Sequence, residues 1–355
     1  MSYAAITGWG KCLPPAVLTN DDLATFLDTD DEWIRKRTGM QERRISHVTV
    51  SQLAHVAARR ALAAAGKTAE DVDLIVFGTT TPDSICPNTA SGLQKLLAAN
   101  NAACMDLNTA CTSFLYSLTA ATSMIRTGVV RNALVIGAEV ISPLMDWNNR
   151  NVAVLFGDGA AAFFLEASEE PQGVMAEAIG CYGEVRDILS LRGWGVEYAN
   201  QGTMLGDAQW NFEGQEIFKR AVKGMAEACV DVLAKAASSI DEVDLVVPHQ
   251  ANLRIIEALT KRTGVPAEKV FINIHRYGNM SAATAPIALV EALEEGRVTP
   301  ESTILMPAFG GGLTWCAHLL RWGQRTTPLA ASDAELPPCD QSALELVQEI
   351  RRRKS

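Results

Sequence analysis

Short apolar runs alternate with longer amphipathic segments along the first half of the chain. The runs at 74–78 and 133–138 have the length of strands and contain no polar side chain, which is typical of strands buried on both faces of a sheet. A shorter strand is predicted at 103–107 and an Ala-rich helix at 51–65. Segment 114–125 has helical periodicity and is followed by Gly128, a residue type that commonly ends helices.

The second half of the chain repeats this order of elements. Four pairs of segments correspond: 71–78 with 242–249, 133–138 with 302–307, 156–159 with 309–312, and the stretch from Cys111 to Gly128 with the equally long stretch from Asn279 to Gly296. Four correspondences in the same order predict an internal duplication of a strand–helix unit. Two such α/β halves should pack around a pseudo-two-fold axis, with helices against their sheets.

The predicted boundary between the halves lies in a polar segment that contains Pro171. This divides the chain into a first half at 1–170, a second half at 171–323, and a tail at 324–355. The tail has two proline-containing stretches that are typical of linkers and one short amphipathic helix predicted over 341–353. It is predicted to be an appendage to the core.

Composition excludes several classes of protein. With 48% hydrophobic and 20% charged residues among 355, the chain is predicted to fold into an ordered domain structure. No apolar run has the roughly 18–20 residues of a membrane span, and the N-terminus does not have the pattern of a signal peptide. A net charge of −10 argues against nucleic-acid binding and requires a local basic patch for any acidic partner. Eight cysteines without CxxC spacing and five histidines predict neither disulfides nor a metal site, and favour the cytoplasm.

Cys111 lies between the predicted strand at 103–107 and the predicted helix at 114–125, so its thiol would lie at a helix N-terminus. Free amide groups and the positive end of the helix dipole stabilise a thiolate there. Such thiols have pKa values of about 3.5–7.5 instead of about 8.5. The alternative interpretation is a buried structural cysteine.

Polar residues in the second half are candidates to support this nucleophile. His249 follows an apolar strand, and Asn279 would occupy the position equivalent to Cys111 in the duplicated unit. The glycines at 310–312 would let backbone amides approach an oxyanion closely. Each feature also has a structural interpretation, as a core histidine, a helix N-cap and a tight turn. Together they favour a nucleophile with polar partners near the axis.

Over about residues 3–323, the chain resembles the β-ketoacyl-[acyl-carrier-protein] synthase III family of the thiolase-like superfamily. The motifs that carry the resemblance are Asp31-Glu32-Trp33-Ile34 with Arg37-Thr38-Gly39, Ala110-Cys111, Phe156-Gly157-Asp158-Gly159-Ala160, Pro248-His249-Gln250-Ala251-Asn252, Gly278-Asn279 with Ser281-Ala282-Ala283, and Phe309-Gly310-Gly311-Gly312 with Thr314-Trp315. The resemblance implies a thiolase-like fold of two duplicated halves in α-β-α-β-α layers. It also implies a homodimer that uses acyl-CoA and malonyl-acyl-carrier protein (malonyl-ACP) as substrates and needs no cofactor.

The resemblance implies a two-step Claisen condensation. Cys111 would take an acyl group from acyl-CoA, and His249 and Asn279 would hold the thioester carbonyl of malonyl-ACP while CO2 leaves. Attack of the resulting enolate on the acyl-cysteine would give β-ketoacyl-ACP. The amides of Cys111 and Gly311 would form the oxyanion hole, and Phe309 would wall the decarboxylation site.

The resemblance also implies the binding residues. Trp33 and Arg150 would clasp the adenine of CoA, Arg37 would lie near its phosphates, and Asn252 would meet the pantetheine arm. A basic patch for the carrier protein would consist of Lys219, Arg254, Lys261 and Arg262. Each of these charges could equally be an ordinary solvated surface charge.

Several residues depart from the family pattern. Cys86 stands where acetyl-preferring members place a bulky aromatic residue contributed across the dimer, so a longer primer is predicted. Thr109, Met280 and Cys316 also differ, and the tail has no counterpart in compact members. Two other functions stay open: an acyltransferase or condensing enzyme of secondary metabolism with another acceptor, and a non-catalytic acyl-binding subunit. The glycines at 311–312, where plant-type polyketide synthases carry proline, argue against the first, and the intact Cys, His and Asn argue against the second.

Overall fold

The computed structural model describes residues 3–193 and 209–354. The strands of the first half are β1 (Tyr3–Cys12), β2 (Ala16–Thr19), β3 (Glu42–Ile45), β4 (Leu74–Gly78), β5 (Ala103–Leu107), β6 (Asn132–Glu139) and β7 (Gly159–Ser168). Its helices are α1 (Asn20–Ala24), α2 (Asp31–Thr38), α3 (Val50–Ala65), α4 (Thr89–Leu97), α5 (Ser113–Arg126) and α6 (Arg150–Ala153).

The second half has the same kinds of element. Its strands are β8 (Gly173–Cys181), β9 (Leu189–Arg192), β10 (Gln209–Phe212), β11 (Leu245–Val246), β12 (Thr303–Gly310) and β13 (Thr314–Arg321). Its helices are α7 (Gly214–Lys235), α8 (Leu253–Thr263), α9 (Ile274–Tyr277) and α10 (Thr284–Glu294), and the tail forms α11 (Ala343–Lys354).

The strand order shows the duplication directly. One half of the main sheet has the order β1-β7-β6-β4-β5, and the other has the equivalent order β8-β13-β12-β11. The two meet through a single pair of residues, Ala4 of β1 and Gly173 of β8. In the second half, an isolated parallel bridge between Val246 and Val270 occupies the place equivalent to β5, and β5 itself is the edge strand of the first half.

Helices cover both faces of the two half-sheets. On the outside, α3 packs on β1 and β7, and α7 packs on β8, β12 and β13. Between the sheets lie α5, which contacts strands of both, and α10, which contacts β1 and β7. The largest hydrophobic cluster is built from α5, α10 and the inner faces of both sheets. This is the predicted α-β-α-β-α layering.

Glycines let the central helices start unusually close to the strands. A Cβ atom at Gly78 would lie 2.8 Å from the carbonyl carbon of Ser113, the first residue of α5. A Cβ atom at Gly137 would lie 2.6 Å from the carbonyl oxygen of Ala282, just before α10. Backbone atoms cannot move aside as a flexible side chain can, so only glycine fits at these positions. The two helix starts are thereby held against the ends of β4 and β6.

Two correspondences of the predicted repeat are wrong in register. Helix α5 has 14 residues and α10 has 11, so counting back from the terminal glycines displaces the alignment. The structural equivalents are Ala110 and Ser281, which makes Asn108 rather than Cys111 the counterpart of Asn279. Residues 309–310 end β12, whereas 156–158 precede β7, so these two Phe-Gly segments are not equivalent either.

The tail packs along the first half. The guanidinium of Arg325 donates to the carbonyl oxygen of Ala64 over 2.7 Å, and a ring nitrogen of His47 lies 2.8 Å from the carbonyl oxygen of Pro337. Helix α11 begins two residues after the predicted start and buries Val347 completely. A hydrophobic cluster of the first half covers the apolar face of α11.

Within the described ranges 3–193 and 209–354, no helix combines the length and the apolar character needed to cross a membrane.

Candidate active site

One cavity of about 1220 Å³ brings together the residues predicted to be catalytic. Cys111 from the first half and His249 and Asn279 from the second half all line it. Phe309 and Gly311, predicted to support the chemistry, line the same cavity. Because these positions are far apart in the sequence, only the packing of the two halves places them around one space.

Cys111 lies in a single 3-10 turn, 110–112, that leads directly into α5. Ala110 has a φ of 54°, a conformation that non-glycine residues rarely adopt. Hydrogen bonds hold this turn: the side chain of Asn108 accepts from the amide of Ala110 over 3.1 Å, and the hydroxyl of Ser113 accepts from the amide of Thr109 over 2.9 Å. Cys111 is partly exposed as a residue and lines the cavity.

The prediction of a lowered pKa for Cys111 is wrong for the unliganded protein. Burial raises the pKa of the Cys111 thiol to about 12, and the negative charge of Glu139 acts in the same direction. Hydrogen bonds from the hydroxyl of Ser281 and from the amide of Cys111 itself lower this pKa, but they do not compensate for the lost hydration. The thiol is therefore protonated at neutral pH and needs a proton acceptor when it reacts.

His249 is a buried, neutral imidazole. Its backbone amide donates to the carbonyl oxygen of Pro307 over 2.9 Å, and its Nδ1 forms a short hydrogen bond with the hydroxyl of Thr284. Burial lowers the pKa of the imidazole to about 3. With Nδ1 engaged by Thr284, Nε2 is the ring nitrogen left for the cavity.

Asn279 is held at both ends of its backbone. Its amide donates to the carbonyl oxygen of Leu155 over 2.8 Å, and its own carbonyl oxygen accepts from Gly157 over 3.1 Å. The side-chain oxygen accepts from the amide of Ser281 over 2.8 Å, which assigns the orientation of the side-chain amide. The NH2 group is consequently the donor that Asn279 can offer to a ligand.

The turn between β12 and β13 is tied to the turn that carries Cys111. A Cβ atom at Gly310 would lie 2.8 Å from the backbone nitrogen of Cys111, so glycine is required for this approach. The hydroxyl of Thr314 lies 2.8 Å from that of Thr112 and donates to the carbonyl oxygen of Thr109 over 2.9 Å. These contacts place Gly311 beside the nucleophile.

Two polar residues of the site were given no role from the sequence. Glu139, at the end of β6, is completely buried, and burial raises the pKa of its carboxyl group. It accepts hydrogen bonds from the hydroxyls of Thr80 and Thr81 over 2.8 and 2.7 Å, and also from the hydroxyl of Ser281. Its signal in the sequence is an acidic residue directly after the apolar run 133–138. Thr284, the partner of His249, has no comparable signal.

The aromatic ring of Trp33 lies at one end of the cavity between two cations. The guanidinium carbon of Arg37 is 4.3 Å from the ring centroid and that of Arg150 is 5.0 Å from it. Arg150 also donates to the backbone oxygen of Asp28 over 2.5 Å and pairs with its carboxylate at 3.2 Å. This arrangement suits a flat, anionic ligand, because both a stacking surface and positive charge are present.

Asn252 is engaged largely by the protein itself. Its side-chain oxygen caps α8 by accepting from the amide of Arg254 over 2.9 Å, and its NH2 group donates to the carbonyl oxygen of Arg37 over 3.1 Å. It lines the cavity, so its predicted contact with pantetheine stays a prediction.

Two of the four residues of the predicted carrier-protein patch line the cavity, and the other two do not. Lys219 and Arg254 are exposed and line the cavity, whereas Lys261 and Arg262 lie in the last turn of α8 and do not line it. Cys86 is exposed and lies outside the cavity of its own chain, so its predicted role depends on a second copy.

Comparison with known proteins identifies the family. Residues 105–183 match the model of 3-oxoacyl-[acyl-carrier-protein (ACP)] synthase III, and residues 233–322 match the model of its C-terminal part. The β-ketoacyl-[acyl-carrier-protein] synthase III 2 of Vibrio cholerae serotype O1 is 53% identical over 345 residues, which are 97% of this chain and 95% of that one. The chain belongs to the β-ketoacyl-[acyl-carrier-protein] synthase III family. The predicted family and enzyme class, a decarboxylating acyltransferase of this synthase type, are thereby confirmed.

The extent of the match to other relatives distinguishes the core of this chain from its tail. The synthase III of Roseiflexus castenholzii is 46% identical over 325 residues, covering 98% of its own length but 90% of this chain. The longer match to the Vibrio cholerae protein necessarily includes most of the tail. In structure, 3-oxoacyl-[acyl-carrier-protein] synthase III from Aquifex aeolicus VF5 has a TM-score of 0.84 and 44% identity, covering 90% of this chain and 100% of that one. The predicted thiolase-like α/β fold is confirmed.

Proposed function

We propose that this synthase transfers an acyl group from acyl-CoA to Cys111 and condenses it with malonyl-ACP, releasing CO2 and forming β-ketoacyl-ACP. The observation that carries the proposal is the placement of Cys111, His249 and Asn279, from two different halves, around one cavity. A nucleophile beside a neutral imidazole and a neutral amide suits acyl transfer followed by enolate formation, because the imidazole can take up the thiol proton and both groups can donate to an enolate oxygen.

In the first step the Cys111 thiol loses its proton to Nε2 of His249, and the sulfur attacks the thioester carbon of acyl-CoA. The amides of Cys111 and Gly311 stabilise the oxyanion, a contribution of about 2.7–4 kcal/mol for each donor. The bond to the CoA sulfur then breaks, and CoA leaves as a thiol with the proton returned by His249. Acyl-Cys111 and neutral His249 remain.

In the second step malonyl-ACP places its thioester oxygen against the NH2 group of Asn279 and Nε2–H of His249. The bond to the malonyl carboxylate breaks, CO2 leaves, and the enolate carbon attacks the acyl-Cys111 carbonyl. The Cys111 sulfur departs as a thiolate and takes a proton from solvent. Phe309, which is 5% exposed, gives the carboxylate an apolar neighbour that favours its loss.

The hydroxyl of Thr284 supports both steps. Its single proton either is donated to the carbonyl oxygen of Ser281 over 3.0 Å, while the hydroxyl oxygen accepts from Nδ1–H, or is donated to unprotonated Nδ1. In the first state Nε2 is a proton acceptor for Cys111, and in the second Nε2–H is a donor to the thioester oxygen. His249 is positively charged only while it holds the proton of Cys111 in the first step, and it is neutral in the second.

For substrate binding, Trp33 and Arg150 hold the adenine of CoA, Arg37 lies near the phosphates, and Asn252 meets the pantetheine arm. Carrier protein, which is acidic, docks on the patch of Lys219, Arg254, Lys261 and Arg262. Support comes from the cation–π distances at Trp33 and from the exposed side chains of Lys219 and Arg254 at the cavity.

The active species is a homodimer built on the edge strand β5. All five residues of β4 are buried, whereas every residue of its neighbour β5 is at least partly exposed. The segment that carries Cys86 is anchored to this edge, since Asn88 donates to the carbonyl oxygen of Cys104 over 3.2 Å. A second copy at β5 would bring a small Cys86 to the acyl end of the partner's cavity and leave room for a primer longer than acetyl.

Intact-mass analysis after exposure to a mixed acyl-CoA pool tests the proposal. One adduct is expected, its mass giving the primer length, and it should be absent in Cys111→Ala. Cys86→Ala is the matched control, because it removes an exposed thiol and should keep the adduct. An adduct that persists in Cys111→Ala would overturn the assignment. Product formed only with malonyl-CoA, and not with malonyl-ACP, would favour the secondary-metabolism acceptor.

A further inference from the structure

The tail has no part in the reaction described above, yet it is firmly docked. Ala343, Leu346 and Val347 of α11 are 1%, 8% and 0% exposed. They belong to the hydrophobic cluster that also contains Trp147 and contacts Trp33. The helix begins at a capped position: the carboxylate of Glu345 accepts from the amide of Ser342 over 2.8 Å, and the amide of Glu345 donates to the hydroxyl of Ser342 over 3.3 Å. A helix with a buried face and a formed cap has a fixed position on the first half.

Arg351, near the end of α11, connects two separate segments of the first half. Its guanidinium carbon lies 4.7 Å from the centroid of the Phe26 ring, and one of its nitrogens donates to the side-chain oxygen of Asn148 over 3.1 Å. Phe26 in turn packs edge-on against Trp147, with ring centroids 6.5 Å apart. Arg351 thus fastens segment 26–28 and segment 147–150 to the same helix.

Both segments end beside Trp33, where the adenine of CoA is proposed to bind. Asp28 closes the first and Arg150 the second, and the two form the ion pair at 3.2 Å, with Arg150 above Trp33. The side chain of Asp28 is fully exposed, and exposed ion pairs contribute little to holding a conformation. Arg150 also donates to the backbone oxygen of Asp28 over 2.5 Å, so its position depends on where segment 26–28 lies relative to segment 147–150. Arg351 contacts both segments, at Phe26 and at Asn148.

We propose that α11 is a brace for the nucleotide end of acyl-CoA. Arg351 is a positioning residue that holds segments 26–28 and 147–150, so that the slot between Trp33 and Arg150 exists before the adenosine bisphosphate part of CoA arrives. The inference rests on the proposed binding of the CoA adenine at Trp33. It predicts that changes in α11 weaken the binding of acyl donors that carry the nucleotide. The binding of acyl-pantetheine, which lacks the nucleotide, should stay unchanged.

The chain contains a matched control for simple charge attraction. Arg353 has the same charge two residues further along α11, but it pairs with Glu349 of the same helix. Removing either arginine changes the net charge equally. Only Arg351 is in contact with Phe26 and Asn148.

Steady-state kinetics of the full-length Arg351→Ala and Arg353→Ala variants test the brace, with one acyl group presented both as acyl-CoA and as acyl-pantetheine. For Arg351→Ala we expect a rise of about tenfold in KM for acyl-CoA, from loss of one cation–π contact and one hydrogen bond, with kcat nearly unchanged. KM for acyl-pantetheine and for malonyl-ACP should stay constant, and Arg353→Ala should resemble the wild type. Phe26→Leu, which keeps an apolar side chain, should show a smaller effect of the same kind.

Three results would overturn the brace: an unchanged KM for acyl-CoA in Arg351→Ala, an equal rise in Arg353→Ala, or an equal rise with acyl-pantetheine. Failure of the proposed function has a different signature. In that case the wild type would use acyl-CoA and acyl-pantetheine with the same KM, and Trp33→Ala would change neither.

Discussion

The turn before α5 and the turn before α10 have the same backbone and carry different chemistry. Ala110 and Ser281 have φ values of 54° and 47°, and each begins a 3-10 turn that runs into a central helix. Two residues earlier, Asn108 and Asn279 accept from those residues' amides over 3.1 and 2.8 Å. Duplication has therefore preserved the geometry that faces the cavity.

Burial is what separates the two turns. Asn108 is exposed beside the edge strand β5, and the Cys111 turn is only partly covered. Asn279 is 7% exposed and Ser281 is 3% exposed. In the proposed mechanism, the partly covered turn carries the nucleophile that meets an incoming thioester, and the buried turn carries the donor that must keep one orientation.

The strongest test of this division is Cys111→Ala. We expect condensation to fall by at least about 1000-fold, because Cys111 is the only cysteine among the described residues that line the cavity. Product formation from acyl-CoA and malonyl-ACP, followed by mass spectrometry, measures it. Residual condensation above a hundredth of the wild-type rate would contradict the role of this turn.

The two asparagines provide the next test. Asn279→Ala should lower the rate of malonyl-ACP decarboxylation by roughly 100–1000-fold, since one donor to the developing oxyanion is lost. Acylation of Cys111 should survive. Asn108→Ala is the matched control in the equivalent turn and should keep most of the decarboxylation rate. Equal losses in both variants would mean that the side chains matter only for turn geometry.

A third test compares the imidazoles that the two central helices hold. Thr284 of α10 binds His249, and Thr119 of α5 lies 2.7 Å from Nε2 of His318. Burial lowers the pKa of His318 to about 3, against about 6.5 in the unfolded chain. Between these values the unfolded chain binds more protons, so stability falls as pH decreases from 6.5 toward 3 and is unaffected above 6.5.

For His318→Gln we therefore expect the free energy of unfolding to decrease less than in the wild type when the pH is lowered from 7.5 to 5. The difference should be about 2 kcal/mol. Urea unfolding at pH 5 and pH 7.5 measures the difference. His318 does not line the cavity, so any change in stability is separable from catalysis. If the free energy of unfolding decreased between pH 7.5 and pH 5 by the same amount in His318→Gln and in the wild type, a buried neutral imidazole at this position would be excluded.

The smallest effects are expected at Ser281 and Glu139, which act on the pKa of the Cys111 thiol in opposite directions. Ser281→Ala removes a hydrogen bond that lowers the pKa of the Cys111 thiol, whereas Glu139→Gln removes a charge that raises it. Alkylation of Cys111 by iodoacetamide should therefore become slower in the first variant and faster in the second, each by about three- to tenfold. Shifts in the same direction would contradict the opposed roles of these residues.

The order of strands and helices was predictable because it depends on local pattern. Apolar runs at 74–78 and 133–138 became β4 and the core of β6, and the repeated order predicted the equivalent strands of the second half. His249 could be found because it follows an apolar strand, and Cys111 because it lies between a predicted strand and a predicted helix. Asn279 is singled out through a repeat register that the structure corrects and through the family motif at 278–279. The register of the repeat could not be found, since the three-residue difference between α5 and α10 leaves no local signal.

By itself, then, the sequence determined the duplicated α/β fold and the three residue types that meet in the cavity, because hydrophobic periodicity and motif order are properties of neighbouring residues. Tertiary structure alone decided that burial raises the pKa of Cys111 and that the tail is docked beside Trp33. It also decided that Thr284 binds His249 and that the charge of Glu139 acts on Cys111. Desolvation and docking depend on which distant surfaces come together, and that information is not present in any one segment.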